Sequence, residues 1–292
     1  MIRNLIRCKR VTKEDYEKVM AIFPPSEIYN GGFSLMTTVD DGRSIVTRAG
    51  RISKEYAGQG IGGIMLKWMN KGSPLYRPEV LWHKTAGNAT DSPLPQLIKT
   101  GVYTKTLEQD IRCYDTHKTT LHNKDTVMRK NNPSFKAERI DDKLLGEILE
   151  SNDHKQFLFP ENEIVADYVP YRAMNSNASL IVSKRTSVVV SDLNCPQRTL
   201  LSISNFWQAP LGMVCNFNVY GCVSGNIKEH LILHFAKCIC RPLRDYILLR
   251  CISSKGTSLT FLDNAVEEYG FNRTEFYGKG LVSVRRRIAS KL

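Results

Sequence analysis

Four glycines between Glu55 and Leu66 form the stretch of this chain with the clearest chemical potential. They follow a segment that ends near Ile52 and precede an apolar, helix-periodic run from Ile61 to Met69. Glycine lets a phosphate approach the main chain and permits backbone dihedrals that a Cβ disfavours, and amides at a helix start attract anions. The spacing therefore predicts an anion-binding loop. An ordinary glycine-rich turn that opens a helix is the alternative.

A second group of reactive residues is spaced at i, i+4 and i+8 on a predicted helix that begins at Ile227. His230, His234 and Cys238 would share one stripe of that helix and could supply metal ligands. No fourth ligand or catalytic carboxylate has the metalloprotease spacing. The predicted core face puts the two histidines on a polar flank, and it consists of Leu231, Phe235 and Ile239. We therefore expect no metal.

Composition limits the classes of partner. The chain has 292 residues and a net charge of +12, with 41 Lys and Arg against 29 Asp and Glu. The longest basic run is Arg285-Arg286-Arg287, and no basic motif interleaved with aromatics is present, so nucleic acid is not the expected partner. A phosphate-bearing small molecule would use the same charge locally.

Three further features predict a cytoplasmic protein without a membrane partner. No apolar run approaches the ~20 residues of a membrane-spanning helix. The segment from Met1 to Arg10 carries four basic residues without the apolar core of a signal peptide. The eight cysteines lack C-x-x-C spacing, which favours reduced thiols.

The elements around the glycine loop alternate between strands and helices. After a helix that begins at Thr12, the pattern predicts two strands before the glycine loop and a helix directly after it, followed by further strands and a second helix. The predicted strands are Phe33 to Val39, Ser44 to Ile52, Glu79 to Thr85 and one or two within Val102 to Tyr114, and the predicted helices run from Ile61 to Met69 and from Pro93 to Lys99. This alternation implies a sheet with helices on its faces.

Beyond a polar linker at 115–134, the order of elements repeats, which suggests a duplication. The repeat has helices at Asp141–Leu149, Ile227–Cys240 and Ser258–Tyr269, and strands at Leu180–Ser183, Thr186–Ser191, Leu200–Phe206, Met213–Tyr220, Tyr246–Ile252 and Glu275–Arg286. Its counterpart of the glycine loop, Gly221 to Asn226, lacks the dense glycines. The second half is therefore predicted to be a poor phosphate binder.

The glycine loop resembles the signature of the GNAT N-acetyltransferases, Arg/Gln-x-x-Gly-x-Gly/Ala at a helix start. Ala57 stands where the family has Arg or Gln, and Gly60 and Gly62 match the signature glycines. Within the superfamily the layout looks most like the histidine N-acetyltransferase group, with a second half that carries Asp167-Tyr168-Val169-Pro170-Tyr171-Arg172 and Asn216-Phe217-Asn218-Val219-Tyr220-Gly221. The resemblance implies an α/β fold of tandem GNAT-like halves, each a mixed, mostly antiparallel sheet flanked by helices. The implied domains are 1–114, the linker 115–134 and a degenerate half at 135–292.

The resemblance also implies a site and a reaction. Acetyl-CoA would be held by Ile52, Ser53, Ala57, Gly58, Gln59, Gly60, Ile61, Gly62 and Asn88, and a small amine, such as that of histidine, would attack its thioester directly. Glu79 and His83 are the candidate bases, and Tyr103 is the nearest phenol to serve as acid, since Leu97 stands at the usual tyrosine position. The alternative is a non-catalytic acetyl-CoA-binding or scaffold protein, favoured by Ala57, Leu97 and a short segment before the loop.

Overall fold

The computed structural model describes residues 32–52, 63, 79–90, 92–117, 136–183, 185–209, 212–224, 226–239, 246–275 and 280–288. The helix predicted from Thr12 and nearly all of the glycine loop and its following helix lie outside these residues. The chain divides into two compact units. Unit one comprises Met1–Thr38, Gly42–Lys84 and Arg287–Leu292, and unit two comprises Val39–Asp41 and Thr85–Arg286.

Unit one contains two strands that precede the glycine loop in the sequence and part of one that follows it. The strands are β1 (Gly32–Val39), β2 (Ser44–Ile52) and the beginning of β3 (Trp82–Asn88). The bounds of β1 and β2 confirm the strands predicted from their β-branched runs, and the Asp40–Gly42 turn between them is also confirmed. β2 pairs with β3 in parallel, with Ser44 opposite Trp82 and Val46 opposite Lys84.

Unit two is organised around one large sheet. Its strands run in the order β13-β4-β11-β10-β9-β8-β5, with β12 beside β4. β10 and β11 are parallel, and the other neighbours with a determined register are antiparallel. The bounds are β4 (Thr104–His117), β5 (Glu138–Ile140), β8 (Thr186–Ser191), β9 (Leu200–Ala209), β10 (Gly212–Gly221), β11 (Tyr246–Ser254), β12 (Asn272–Thr274) and β13 (Gly280–Arg287).

Helices and a separate hairpin complete unit two. The helices are α1 (Leu94–Lys99), α2 (Asp142–Glu150), α3 (Asn152–Leu158), α4 (Ala178–Ile181), α5 (Ile227–Ile239) and α6 (Thr260–Glu268), with a 3-10 turn at Asn175–Asn177. The hairpin consists of β6 (Glu163–Ala166) and β7 (Val169–Arg172) and forms a two-stranded sheet of its own. The predicted fold class, a mixed and mostly antiparallel sheet flanked by helices, is confirmed.

The two faces of the central strands are covered differently. In β10, Cys215, Phe217 and Val219 point into the apolar core that α5 and α6 share with the sheet. Because successive side chains of a strand point to opposite faces, Val214 and its alternate neighbours face the other side. There, Val214 and Tyr168 pack against a smaller cluster that includes Val165 of the hairpin. The hairpin therefore covers the face opposite α5 and α6.

Three sequence predictions need correction. β4 continues through Tyr114 to His117, so the predicted linker does not begin at residue 115. The segment predicted as a strand at Leu180–Ser183 lies partly in α4, because the preceding 3-10 turn leads the chain into a helix despite its β-branched residues. Finally, helix α3 and the β6–β7 hairpin were not predicted, since the hairpin turn Asp167-Tyr168 contains no glycine.

The predicted division at 114 and 135 remains a prediction about how the halves arose. Within unit two, strands from both sides of that division share one sheet. β4 pairs with β11 from His117 opposite Tyr246 to Gln109 opposite Ser254. In the folded chain, the last strand before the predicted linker is therefore an integral part of the second half.

Candidate functional site

The cofactor-binding residues predicted in the glycine loop lie mostly outside the described residues. These are Ser53, Ala57, Gly58, Gln59, Gly60, Ile61 and Gly62. Ile52 is the last residue of β2, as the predicted strand-to-loop order requires. Gly63 is helical and exposed, and a Cβ built on it would meet no atom within 4 Å. Acetyl-CoA binding by this loop therefore remains a prediction.

The candidate base His83 lies in a buried position of unit one. Its side chain is 3% exposed, and its Nε2 lies 2.5 Å from the Oγ1 of Thr47 on the neighbouring strand β2. His83 stands opposite Ile45 in the parallel pairing. Thr47 thus fixes one ring nitrogen of His83, which is the type of contact that orients a catalytic imidazole.

The second candidate base, Glu79, has a different environment in the same unit. Its side chain is exposed, and it reaches over the turn between β1 and β2, where a Cβ on Gly42 would lie 3.7 Å from its Cγ. Gly42 has a φ of +81°, so glycine is required by the backbone at this turn. Glu79 and His83 therefore belong to one unit but differ in burial.

Tyr103 and Asn88 both belong to unit two. Tyr103 is 4% exposed and packs with Leu94, Val282 and Val284. The guanidinium carbon of Arg286 lies 5.4 Å from the centroid of the Tyr103 ring. Burial raises the pKa of Tyr103, while the charge and hydrogen bond of Arg286 oppose that rise. The phenol is therefore protonated at neutral pH, as a general acid must be.

Asn88, predicted to touch the cofactor, caps a turn at the end of β3. Its Oδ1 accepts hydrogen bonds from the backbone N and the Oγ1 of Thr90, at 3.3 and 3.2 Å. Its backbone carbonyl accepts a hydrogen bond from Ser92 Oγ at 2.5 Å. These contacts explain an asparagine at this turn without a ligand. Its cofactor role remains a prediction.

The helix α5 histidines are buried, so the expected polar flank is wrong. His230 and His234 are both fully buried, and they join serines of β8 and β9 in one chain of hydrogen bonds. The chain runs from Ser191 to His230 (3.1 Å), Ser202 (2.7 Å), His234 (2.8 Å) and Ser204 (2.6 Å). The ring nitrogens of both histidines are therefore hydrogen-bonded to serine hydroxyls, and a metal ion would need those same nitrogens as ligands.

Two further observations concern ligand sites in the described part of the chain. Among those residues, no group of three or more His, Cys, Asp or Glu side chains could hold a metal ion. A surface hollow of about 400 Å³ lies in unit two. It contains none of the predicted site residues and is lined by Lys136, Glu138, Ser191, Asp192, Leu193 and Asn194.

The sequence analysis gave no site role to a buried polar group on the central strands of unit two. Asn216 and Asn218 are 0% and 1% exposed, and Arg250 on the neighbouring strand is 9% exposed. The available signal was the alternation Asn-Phe-Asn within a strand buried on both faces, where an apolar residue is expected at every position.

The matches to known proteins point to one enzyme class. Residues 133–254 match the family model described as "Histidine N-acetyltransferase, C-terminal". A search of curated proteins gave no match. Among solved structures, a GCN5-related N-acetyltransferase from Sphaerobacter thermophilus is 11% identical with a TM-score of 0.45, and the alignment covers 91% of this chain and 79% of that one.

A tandem GNAT protein from the clavulanic acid biosynthesis pathway has the same TM-score of 0.45 at 9% identity, over 97% of this chain and 90% of that one. N-myristoyltransferase from Saccharomyces cerevisiae with bound myristoyl-CoA is 7% identical, with a TM-score of 0.42 over 87% and 62% of the two chains. Similarities this distant carry no argument about activity.

The family match agrees with the resemblance seen in the sequence, and it covers less than half of the 292-residue chain. Over residues 133–254, the chain is similar to the histidine N-acetyltransferase C-terminal family. In the described residues, no helix is both long enough and apolar enough to cross a membrane.

The buried histidine network makes stability depend on pH. Burial lowers the pKa of His230 from 6.5 to about 3. Below about pH 6.5, the unfolded chain therefore binds a proton at this residue, whereas the folded chain does not. The free energy of unfolding consequently falls as the pH falls from 6.5 towards 3. We expect this residue to contribute a slope of about 1.4 kcal/mol per pH unit in that range.

Urea unfolding at pH 7, 6 and 5 measures this slope in the unmodified chain and in the His230→Asn variant. The variant should have the shallower slope. His117→Asn, at the exposed end of β4, is the matched control and should keep the slope of the unmodified protein. An equal slope in all three proteins would show that His230 is not the residue responsible.

Proposed function

We propose that this protein transfers the acetyl group of acetyl-CoA to the amine of an amino acid such as histidine. The match of residues 133–254 to the histidine N-acetyltransferase C-terminal family carries this proposal. The net charge of +12 supports it, since the cosubstrate carries several phosphates. In this reaction the neutral amine attacks the thioester carbon, a C–N bond forms, the C–S bond breaks, and the thiolate of coenzyme A takes up a proton.

Strand β2 and the glycine loop would hold acetyl-CoA. Within unit one, the parallel register of β2 with β3 extends from Ser44 to Val46, and β2 itself continues to Ile52. We propose that backbone groups near this end of β2 bind the pantetheine arm, as the GNAT resemblance implies. Amides from Ala57 to Gly62 would then hold the pyrophosphate.

His83 is the better candidate for the base that removes a proton from the substrate ammonium. Histidine titrates near neutral pH, and Thr47 Oγ1 contacts the Nε2 of the His83 ring. Glu79 is exposed, so its carboxylate is the less enclosed of the two candidate bases. Tyr103, protonated at neutral pH, keeps its proposed role as the acid that protonates the thiolate.

An amine panel tests the function directly. Purified protein is mixed with acetyl-CoA and each of the free amino acids, and thiol release and product mass are measured. We expect thiol release with histidine and a product heavier by one acetyl group on its amine. Binding of acetyl-CoA without turnover on any amine would support the non-catalytic alternative and reject the proposed reaction.

The glycine loop is tested by Gly60→Asp. This change adds a side chain and a negative charge where a phosphate should lie, so acetyl-CoA affinity should fall by at least about 100-fold, equivalent to about 2.7 kcal/mol. Isothermal titration with acetyl-CoA measures the affinity. Ser258→Asp is the control, because it adds the same negative charge at an exposed position of unit two. Unchanged affinity in Gly60→Asp would mean that the cofactor binds elsewhere.

The choice of base is tested by comparing His83→Gln with Glu79→Gln. Loss of general base catalysis commonly costs a factor of 100 or more, so kcat should fall about 100-fold in His83→Gln. Acetyl-CoA affinity should stay unchanged, which separates a catalytic effect from a folding defect. Glu79→Gln should retain the normal kcat. The reverse result would transfer the role of base to Glu79.

A further inference from the structure

Three asparagines of the central sheet form a buried polar group, here called the asparagine cluster. Its members are Asn205 of β9 and Asn216 and Asn218 of β10, with exposures of 6%, 0% and 1%. The Nδ2 of Asn205 donates to Thr186 Oγ1 at 2.8 Å. The other amide oxygen and nitrogen atoms of the cluster have no hydrogen-bond partner in the part of the chain that the structure describes. The cluster is therefore rich in unused donors and acceptors.

Strand register brings the cluster together on the face covered by the hairpin. Asn216 lies opposite Asn205 on one neighbouring strand and opposite Arg250 on the other. Asn218 lies two residues further along β10, and so points to the same face as Asn216. Arg250 belongs to this face too, because Leu248 and Ile252 on either side of it pack in the hairpin-side cluster. A fixed positive charge thus adjoins the amides.

The hairpin is attached to this face at two points. Tyr220, two residues beyond Asn218, donates its hydroxyl to the carbonyl of Val165 and accepts from the amide of Val165, both at 2.8 Å. The guanidinium of Arg250 lies 5.0 Å from the centre of the Tyr168 ring. The hairpin therefore spans from the Tyr220 position to the row of Asn216, and it covers the asparagine cluster.

The hairpin turn is strained. Asp167 and Tyr168 have φ values of 51° and 61°, in the left-handed region that a bulky side chain rarely adopts. Such outliers concentrate at ligand clamps and switch regions. Because β6 and β7 pair only with each other among the described strands, the hairpin can separate from the large sheet without breaking a ladder of that sheet. A local opening of this kind would give a small molecule access to the amides.

Burial of amides without hydrogen-bond partners destabilises a protein core. A buried polar group without a partner costs about 1–3 kcal/mol, whereas an apolar side chain of the same shape avoids that cost. Asn218 lies between Ile203 and Ile252 in the strand register, so an apolar side chain would suit its position. Groups of this kind indicate a ligand that completes their hydrogen bonds.

We propose that the asparagine cluster and Arg250 form a binding site for a free amino acid whose side chain has both a donor and an acceptor. The amides of Asn216 and Asn218 match the N–H and the bare nitrogen of a neutral imidazole, and the charge of Arg250 favours a carboxylate. The choice of histidine within this class rests on the proposed function. The cluster, Arg250 and the hairpin all fall within the matched residues 133–254.

The binding test uses the full chain without acetyl-CoA. Isothermal titration with L-histidine, L-glutamine and L-leucine is compared for the unmodified protein and for Asn216→Leu/Asn218→Leu. Histidine should bind to the unmodified protein with higher affinity than leucine, and the double variant should lose at least 10-fold in histidine affinity. Histidine binding that is absent, or equal in the two proteins, would overturn the proposal.

Stability provides the second measurement. Removal of unpartnered amides should raise the melting temperature of the double variant, while it weakens binding. Asn177→Leu is the matched control, because Asn177 is equally buried but donates to Asp40 Oδ1 at 2.8 Å and to the carbonyl of Arg172 at 2.9 Å. This control should lower the melting temperature. A double variant that melts lower than the unmodified protein would assign the asparagines to the fold, and the single variant Asn218→Leu then repeats the binding test.

The outcomes separate this site from the proposed function. Histidine binding that depends on the asparagines, without acetyl transfer to any amine, would support the site and reject the reaction. Acetyl transfer to histidine with an unchanged KM in a folded Asn216→Leu/Asn218→Leu variant would support the reaction and reject the site. A raised KM with an unchanged kcat would support both.

Discussion

The antiparallel pairing of β4 with β11 is the constraint on which unit two depends. It joins residues 109–117, which come before the predicted linker, to residues 246–254, far along the chain. β11 in turn runs parallel to β10, so β4 takes part in ordering the strand that carries Asn216 and Asn218. Arg112 and Tyr114 of β4 also bond to Asp263 of α6. One pairing therefore fixes the sheet and one of the helices that cover it.

The two faces of this sheet differ in whether their buried polar groups have hydrogen-bond partners. On the α5 side, each ring nitrogen of His230 and His234 meets a serine hydroxyl, so the histidines remain neutral inside the core and stabilise its arrangement. On the hairpin side, the amides of Asn216 and Asn218 meet no such partners among the described residues. The same strand neighbourhood thus contains one completed network and one incomplete network, and only the incomplete one lies beneath a strained turn.

Sequence reasoning succeeded where a local pattern decides the structure. The strands Ser44–Ile52 and Thr186–Ser191 have the predicted bounds, and Gly101 and Gly270 follow helices with positive φ values, as helix-ending glycines should. It failed where tertiary contacts decide. The polarity of His230 suggested an exposed flank, although serines on neighbouring strands allow it to be buried. The hairpin turn Asp167-Tyr168 has no glycine, and contacts of Tyr168 with Arg250 favour its conformation instead.

The glycine at the start of the second loop shows how the two halves differ. Gly221 ends β10 with a φ of +86°, and a Cβ there would lie 2.3 Å from the carbonyl oxygen of Thr199. That carbonyl accepts the amide of Cys222 at 3.1 Å, so the glycine permits a close backbone contact at the end of the strand. Gly221 is therefore required by packing, and no phosphate is needed to explain it.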